Sequence, residues 1–179
     1  MPRKRKDSTQ PIGMALLQSD FVVNNAQRIL HTPEVEKILD KAMPLLRARK
    51  GAQAERLFRK AIALKPIQPD LLNNLASSLI AQERNDEATT IIEAIHILFP
   101  DYLFARTTLA ITALRVGNFE QASEFLAPLF SQREFHISEY DALCSAVIEY
   151  CIYTRQYPDA RVWLDVWAGP NPENPKMEF

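Results

Sequence analysis

Two cysteines and three histidines are the side chains of this sequence best suited to bind a metal or form a disulfide. Cys144 and Cys151 are seven residues apart, so on one helix they would lie roughly 10 Å apart along the axis, whereas a disulfide needs Cα atoms within about 7 Å. His31, His96 and His136 are scattered along the chain, and the cysteine pair lacks zinc-site spacing. We therefore expect two buried free thiols and no metal site.

The residue types needed for catalysis do not form a recognisable pattern. The four glycines do not form a phosphate-binding loop, and "GNFEQ" is better explained as a turn between helices. Glu34, Glu36 and Asp40 are spaced as a solvated helical face rather than as an acid and base pair. We therefore expect no catalytic residues, no cofactor and no enzymatic activity.

Composition and charge favour a soluble, single-domain protein. The chain has 179 residues, 47% hydrophobic and 24% charged, with a net charge of −1. No apolar run approaches the ~20 residues that span a bilayer. The basic start, "MPRKRKDSTQPIG", lacks the apolar core of a secretory signal, so we expect a cytosolic protein. Its "PRKRK" run is either a solubilising tail, a nuclear-import signal or a phosphate contact, and nucleic acid and membrane are not expected partners.

An internal period of 34 residues sets the architecture. Ala54, Ala88 and Ala122 recur at this interval, and Ala160 follows 38 residues after the third, so four residues are inserted around "SQREFHIS". Around each alanine, apolar residues are spaced by three and four, which indicates a helix with one buried face. A second periodic run precedes each of the last three, for example "LLNNLASSLIAQ" before Ala88. The sequence therefore predicts repeated helical hairpins.

Prolines and polar turns mark the predicted helix ends. Pro66, Pro100 and Pro172 follow the second helix of their units, and "ERND" and "RVGN" are the turns within two hairpins. Thr32 is the expected N-cap of a helix that begins at Pro33, and Pro158 suits a first helical turn. Pro128 falls inside the pattern "FEQASEFLAPLF", where we expect a kink or an early stop.

This pattern resembles the tetratricopeptide repeat family over roughly residues 35 to 172. The unit "LLNNLASSLIAQERNDEATTIIEAIHILFPD" carries the family's apolar, small and closing residues: Leu72, Leu75, Leu79, Ala76, Ala88 and Pro100. Other units depart from it, with Arg106 and Glu134 in the third, Ile148 in the fourth, and Lys41 and Pro44 disturbing the first helix. The resemblance implies an all-α helical-hairpin solenoid of about four repeats, a right-handed superhelix, whose first helices line a concave groove.

The resemblance also implies where a partner would bind. If the register holds, the residues that face the groove include Asn73, Asn74, Ser77, Thr107, Thr108, Ile111 and Leu114. Family members that bind an acidic C-terminal peptide use lysine, asparagine and arginine there, and Asn74 alone matches them. The groove is therefore predicted to hold an extended or helical segment through apolar contacts and neutral hydrogen bonds. The alternative is that these are tolerated surface residues.

Both ends of the array raise separate questions. Residues 11–31 predict an N-terminal helix, after a disordered basic tail over 1–10, that either caps the array or occupies its groove. The repeats are assigned to 32–172, and 173–179 are a proline-rich tail without the usual capping helix. Trp163 and Trp167 lie four apart on one helical face near this end. They are either core residues or an edge interface for another copy or a partner.

The sequence as a whole predicts a non-catalytic interaction module, an adaptor or scaffold that binds a protein or peptide in its groove. Two alternatives remain open. One is a small secretion-type chaperone for a dedicated client, and the other is a structural subunit that assembles through its C-terminal edge. Partner identity is not specified by the sequence.

Overall fold

The computed structural model describes residues 21–25 and 29–169. Eight α-helices lie in this part of the chain: α1 Pro33–Arg47, α2 Gly51–Leu64, α3 Pro69–Ile80, α4 Asn85–Leu98, α5 Leu103–Arg115, α6 Phe119–Leu126, α7 Ile137–Tyr153 and α8 Tyr157–Ala168. They pair as four successive hairpins, α1 with α2 through α7 with α8. The predicted helical-repeat solenoid is confirmed.

The repeated alanines allow the helices of each unit to approach closely. Ala54, Ala88 and Ala122 are 0 to 2% exposed, and Ala160 is also buried. Each lies in the first turns of the second helix of its hairpin. A methyl group at this position removes little space between helix axes, whereas a larger side chain would force them apart. The 34-residue period is thus a period of helix crossings.

The turn within each hairpin also repeats, at the level of the backbone. Arg49, Glu83, Gly117 and Arg155 have positive φ values of 55°, 62°, 77° and 61°. A residue in the left-handed conformation after a helix directs the following backbone N–H groups back to the last carbonyls of that helix. Glycine takes this conformation at the least cost. Only Gly117 of the four is a glycine, so the other three turns hold a side chain in a conformation that it disfavours.

Three of the prolines act largely as the sequence predicts. Pro33 begins α1 behind Thr32, and Pro158 lies in the first turn of α8. At Pro128 the expected early stop occurs: α6 ends at Leu126 and a short 3-10 helix, Ala127–Ser131, follows. Pro44 disturbs α1 less than predicted, since the helix continues through it to Arg47. Pro44 has no N–H to donate to the Asp40 carbonyl, so the helix continues with one backbone bond fewer.

The predicted helix over residues 11–31 is wrong at residues 22–24. Val22–Asn24 form a strand, β1, which pairs in parallel with β2, Glu134–His136. The pairing extends to the Val22 amide, which donates to the Arg133 carbonyl at 2.9 Å. The β-branched pair Val22 and Val23 suits an extended backbone, and the partner strand lies within the inserted residues after the third unit. Residues 11–20 and 26–28 lie outside the described part of the chain.

The interior is divided into two main hydrophobic clusters. The first, from α1 to α5, contains aliphatic residues and alanines together with Phe58. The second, from α5 to α8, contains Trp163, Trp167, Tyr140, Tyr150 and other large side chains, and Phe21 and Val23 pack against it. Helix α5 packs against α7 as well as α6. The two clusters meet at α5, which contributes residues to both, and Phe125 packs against both.

Candidate functional site

A cavity of about 540 Å³ lies between α1 and the N-terminal ends of α3, α5 and α7. We call it the groove. Apolar side chains on α1 and α5, together with the residues that enter α1 and α5, form much of its wall: Ile29, Leu39, Met43, Tyr102 and Phe104. Because first helices of successive units line it, the groove has the position that the repeat architecture predicts for a concave binding surface.

The segment before α1 forms part of the groove wall. Ile29 and His31 both line the cavity, and His31 Nε2 donates a hydrogen bond to Asp70 Oδ2 at 2.7 Å. The His31 side chain is 3% exposed, and its Nδ1 has no hydrogen-bond partner in the described structure. This contact joins the segment to the first turn of α3. Whether the N-terminal segment caps the array or occupies its groove stays a prediction.

Among the described residues that line the groove, acidic side chains outnumber basic ones. Glu36, Asp40, Asp70 and Glu139 supply four carboxylates, against one permanent cation, Arg47, among the described lining residues. A second cavity at the end of β2 contains Asp101, Glu134 and Glu139 beside Arg133. We call this second cavity the strand-end cavity. The negative charge thus extends from α1 past the N-terminus of α7.

Two aromatic side chains form the side of the groove that α5 contributes. The rings of Tyr102 and Phe104 lie 5.5 Å apart in a tilted arrangement. Burial raises the pKa of the Tyr102 hydroxyl, and the charges of Asp70 and Glu139 raise it further. The hydroxyl therefore stays protonated and able to donate at any physiological pH. Tyr102 thus combines an apolar ring with a neutral donor beside two carboxylates.

The N-terminus of α7 is fixed by a reciprocal cap. The His136 side chain accepts a hydrogen bond from the Ser138 amide at 3.2 Å, and Glu139 Oε2 accepts one from the His136 amide at 2.9 Å. This capping box satisfies amides that would otherwise lack partners. All three side chains line the groove, so the wall that α7 contributes is held in one geometry by the cap.

The predicted groove residues divide into three groups. Asn74 lines the groove. Asn73 and Ser77 are half-buried on α3, where the Ser77 hydroxyl donates to the Asn73 carbonyl at 3.0 Å. Thr107 and Leu114 are corrections, because they are 3% and 1% exposed and belong to the interior. The Thr107 hydroxyl donates to carbonyls of its own helix, which explains how a polar residue is accommodated there.

Thr108 and Ile111 line a different cavity, of about 510 Å³, between α4 and α5. We call it the seam cavity. Its walls include Thr89, Ile92 and Thr112, and it lies where the two hydrophobic clusters meet. The sequence prediction therefore combined two separate surfaces, because it placed the groove along the middle of the first helices. The groove instead lies at their N-terminal ends.

Trp163 and Trp167 are core residues in the described structure. They are 1% and 6% exposed, and Trp163 packs against the Phe130 ring at 6.1 Å. The Trp167 indole N–H donates to Asp141 Oδ1 at 2.8 Å. Neither indole is therefore an exposed anchor, which corrects the suggested role of these two side chains at an edge interface. Self-association through the C-terminal edge stays a prediction.

The two cysteines are free and buried on α7. Burial raises the pKa of Cys144 to about 12 and that of Cys151 to about 11. Thiolate is the reactive form, so both thiols are inert while the fold is closed. The expectation of two small buried side chains is confirmed.

Sequence reasoning missed most of the groove lining. His31 and Ile29 were assigned to a helix, and Tyr102 and Phe104 were not considered as site residues. The sequence signal that could have found them is the start of the first helix of each hairpin. Asp70, Tyr102 and Ser138 all lie within two residues of such a start. No group of three or more histidine, cysteine or acidic side chains in 21–25 and 29–169 is placed to hold a metal ion. Within the same ranges, the helices are too short or too polar to cross a bilayer.

Comparison with known proteins is consistent with this geometry. Over a stretch of 77 residues, the chain is 31% identical to peroxisomal targeting signal receptors from Eremothecium gossypii and Kluyveromyces lactis. The match spans 43% of this chain and only 14% of each receptor. Among solved structures, the Sgt2 tetratricopeptide domain from Aspergillus fumigatus superposes with a TM-score of 0.50 at 16% identity, over 76% of this chain and 87% of that domain.

The repeat family itself matches directly. Residues 45–102 and 80–147 each fit the tetratricopeptide repeat, and these overlapping matches together span more than half of the chain. They include both helices of the second and third hairpins. The four hairpins, the alanine crossings and these matches agree, and the chain belongs to the tetratricopeptide repeat family.

Proposed function

We propose that this protein is a non-catalytic adaptor that holds a segment of a partner protein in the groove. The observation that carries the proposal is the mixed lining of this cavity, with apolar side chains on α1 and α5 and polar groups from α3 and α7. Apolar contacts supply affinity, while fixed polar groups set orientation. The capping box and the His31 contact with Asp70 keep those polar groups in place.

The volume of the groove suits part of a peptide rather than a folded domain. Ligand cavities of about 300 to 1,000 Å³ bury groups the size of a few side chains. Peroxisomal targeting signal receptors are, by their name, proteins that receive a signal, which supports peptide recognition by the related stretch of this chain.

The proposal is tested by blocking each cavity in turn. Asn74→Tyr places a ring in the groove, whereas Thr112→Tyr places one in the seam cavity and serves as the matched control. The tagged chain and both variants are used to capture proteins from native extract, and circular dichroism verifies that each variant folds. We expect a partner that is lost with Asn74→Tyr and retained with Thr112→Tyr. The reverse pattern would assign binding to the seam cavity, and retention in both would reject the groove.

A further inference from the structure

We propose that the exposed side of α2 and the turn before it form a second contact surface, which binds a short acidic segment of a partner protein. This surface extends over residues 49–64, and we call it the basic face. It belongs to the second helix of the first hairpin, and the described residues that line the groove include none from 49–64. The inference therefore goes beyond the proposed function.

The basic face has exposed cations and no exposed carboxylate. Its five exposed cations are Arg49, Lys50, Arg56, Arg59 and Lys60. Glu55 is the one acidic residue in this range, its side chain is 12% exposed, and it already pairs with Arg59 and Arg84. In the described part of the chain, the other four cations form no ion pair. Their charge is therefore available to a partner.

The positive charge is also local to the N-terminal part of the sequence. Residues 66–179 contain sixteen carboxylates and seven lysines and arginines. The residues outside the described part of the chain, 1–20, 26–28 and 170–179, contain four carboxylates and six lysines and arginines. As a group, these residues add positive charge rather than remove it. The basic face thus differs in sign from the repeats that follow it.

These cations do not serve the stability of α2. A helix N-terminus favours acidic side chains, and the second helices of the other hairpins have them in the first turn: Asp86 and Glu87, Glu120, and Asp159. Helix α2 has none there and begins directly after Arg49 and Lys50. Arg56 and Lys60 lie one turn apart, where like charges repel. A bound carboxylate segment would relieve both kinds of repulsion.

The limited extent of the basic face favours a short segment over a larger polyanion. The Arg84 guanidinium lies 2.9 Å from the Glu55 carboxylate, which places the start of α4 beside α2. The exposed charged residues there are acidic: Glu83, Asp86, Glu87 and Glu93. Helix α2 is about 21 Å long, and screened charges interact over about 8 to 10 Å. A nucleic-acid duplex or a membrane would extend past α2 to these carboxylates, whereas a segment of about a dozen residues would not.

The experiment uses the full chain and a defined probe. A fluorescein-labelled peptide of twelve residues, alternating glutamate and alanine, is titrated with the chain and followed by fluorescence anisotropy. A single-stranded oligonucleotide of twelve thymidines and vesicles that contain phosphatidylserine are tested in parallel. The test variant is Arg56→Gln with Lys60→Gln. The matched control is Arg155→Gln with Arg161→Gln, which removes two exposed cations elsewhere, and circular dichroism verifies that both variants fold.

We expect the peptide to bind, with a dissociation constant that rises about fivefold in the test variant and changes little in the control. The dissociation constant should also rise with added salt. Absence of peptide binding, or equal weakening in both variants, would overturn the proposal. Tighter binding of the oligonucleotide or the vesicles, weakened by the test variant, would assign the face to nucleic acid or lipid and overturn an acidic protein segment. Self-association in light scattering that the test variant abolishes would assign it to a second copy instead.

The groove variant Asn74→Tyr separates the two surfaces. It should leave the affinity for the acidic peptide unchanged, because the basic face lies on α2. Loss of peptide binding in Asn74→Tyr, with no loss in the test variant, would place the acidic segment in the groove and overturn the basic face. Neither result depends on the partner that the groove is proposed to hold.

Discussion

The two halves of the array form the same hairpins with different means of stabilisation. Helices α1 to α4 pack through alanines and aliphatic side chains and are tied at the surface by a charged network centred on Glu55. Helices α5 to α8 pack around tryptophan and tyrosine rings, and their ties are interior, such as the Tyr140 hydroxyl that donates to the Val166 carbonyl at 2.6 Å. The family pattern therefore fixes where helices cross, and leaves open how the space between them is filled.

The aromatic half should be the more sensitive to loss of a side chain. Trp163 is among the largest fully buried residues, and Trp163→Ala should lower the free energy of unfolding by about 3 to 5 kcal/mol through lost burial and a residual cavity. Urea denaturation followed by circular dichroism measures this. Trp163→Phe is the control, since it keeps a ring and removes an indole N–H that has no partner in the described structure. A cost below about 1 kcal/mol for the alanine variant would contradict the role of Trp163 in the core.

The alanine half should be the more sensitive to added volume. A Cβ at Gly51 would lie 2.6 Å from the Ser78 carbonyl and 2.8 Å from Gln82 Cγ, so Gly51→Ala should destabilise the fold by about 1 to 3 kcal/mol. Gly169→Ala is the control, because its nearest atoms are 3.5 Å away.

Thiol labelling measures whether destabilising the half on one side of the seam cavity also opens the half on the other side. Cys144 and Cys151 lie in the aromatic half, and their raised pKa values make labelling depend on local opening. If the halves unfold separately, denaturation should show two transitions. Gly51→Ala should then lower the midpoint of the transition that belongs to α1 to α4, with little change in the labelling rate under native conditions. A labelling rate that rises about tenfold for each 1.4 kcal/mol of lost stability would show that the two halves unfold as one unit.

The charged network of the first half should give the smallest effect, and one that depends on pH. Gln82 donates to Glu55 at 2.8 Å, and Arg59 and Arg84 approach it at 2.8 and 2.9 Å. The Gln82 hydrogen bond, and then those of the two arginines, hold the pKa of Glu55 below its ordinary value. A lowered carboxyl pKa stabilises the fold above the pKa of the unfolded chain, about 4.3, and this is lost as pH falls through the folded pKa.

Glu55→Gln should therefore cost about 1 kcal/mol at pH 7 and less in acid. The stability curves of the native and variant chains should converge as pH falls below about 4. Thermal denaturation between pH 3 and 7 measures this, with Glu93→Gln, at an exposed position of α4, as the control. A difference that stayed constant across this range would assign the effect to packing rather than to charge.

The repeating part of the fold was predictable because its causes are local in sequence. Ala54, Ala88 and Ala122 predict where the helices cross, and Pro128 predicts the early end of α6. Strand β1 was not predictable, because Val22 and Val23 fit a helical or an extended backbone and the choice is made by β2, far along the chain. The groove position was missed for the same reason, since His31 reaches Asp70 only once that segment crosses the array.

The β1 to β2 pairing adds a contact between distant parts of the chain to an array whose other contacts are between neighbouring elements. Repeat arrays normally contact only their neighbours and can fray from either end, but pairing Val22 with Glu134 turns the intervening chain into a closed loop of roughly 110 residues. Closing a flexible loop of this length would cost about 4 kcal/mol of entropy, a cost that falls once the intervening helices have folded and brought the two strands together. The β1 to β2 pairing should therefore form last during folding, and on unfolding it should open before the helices unfold.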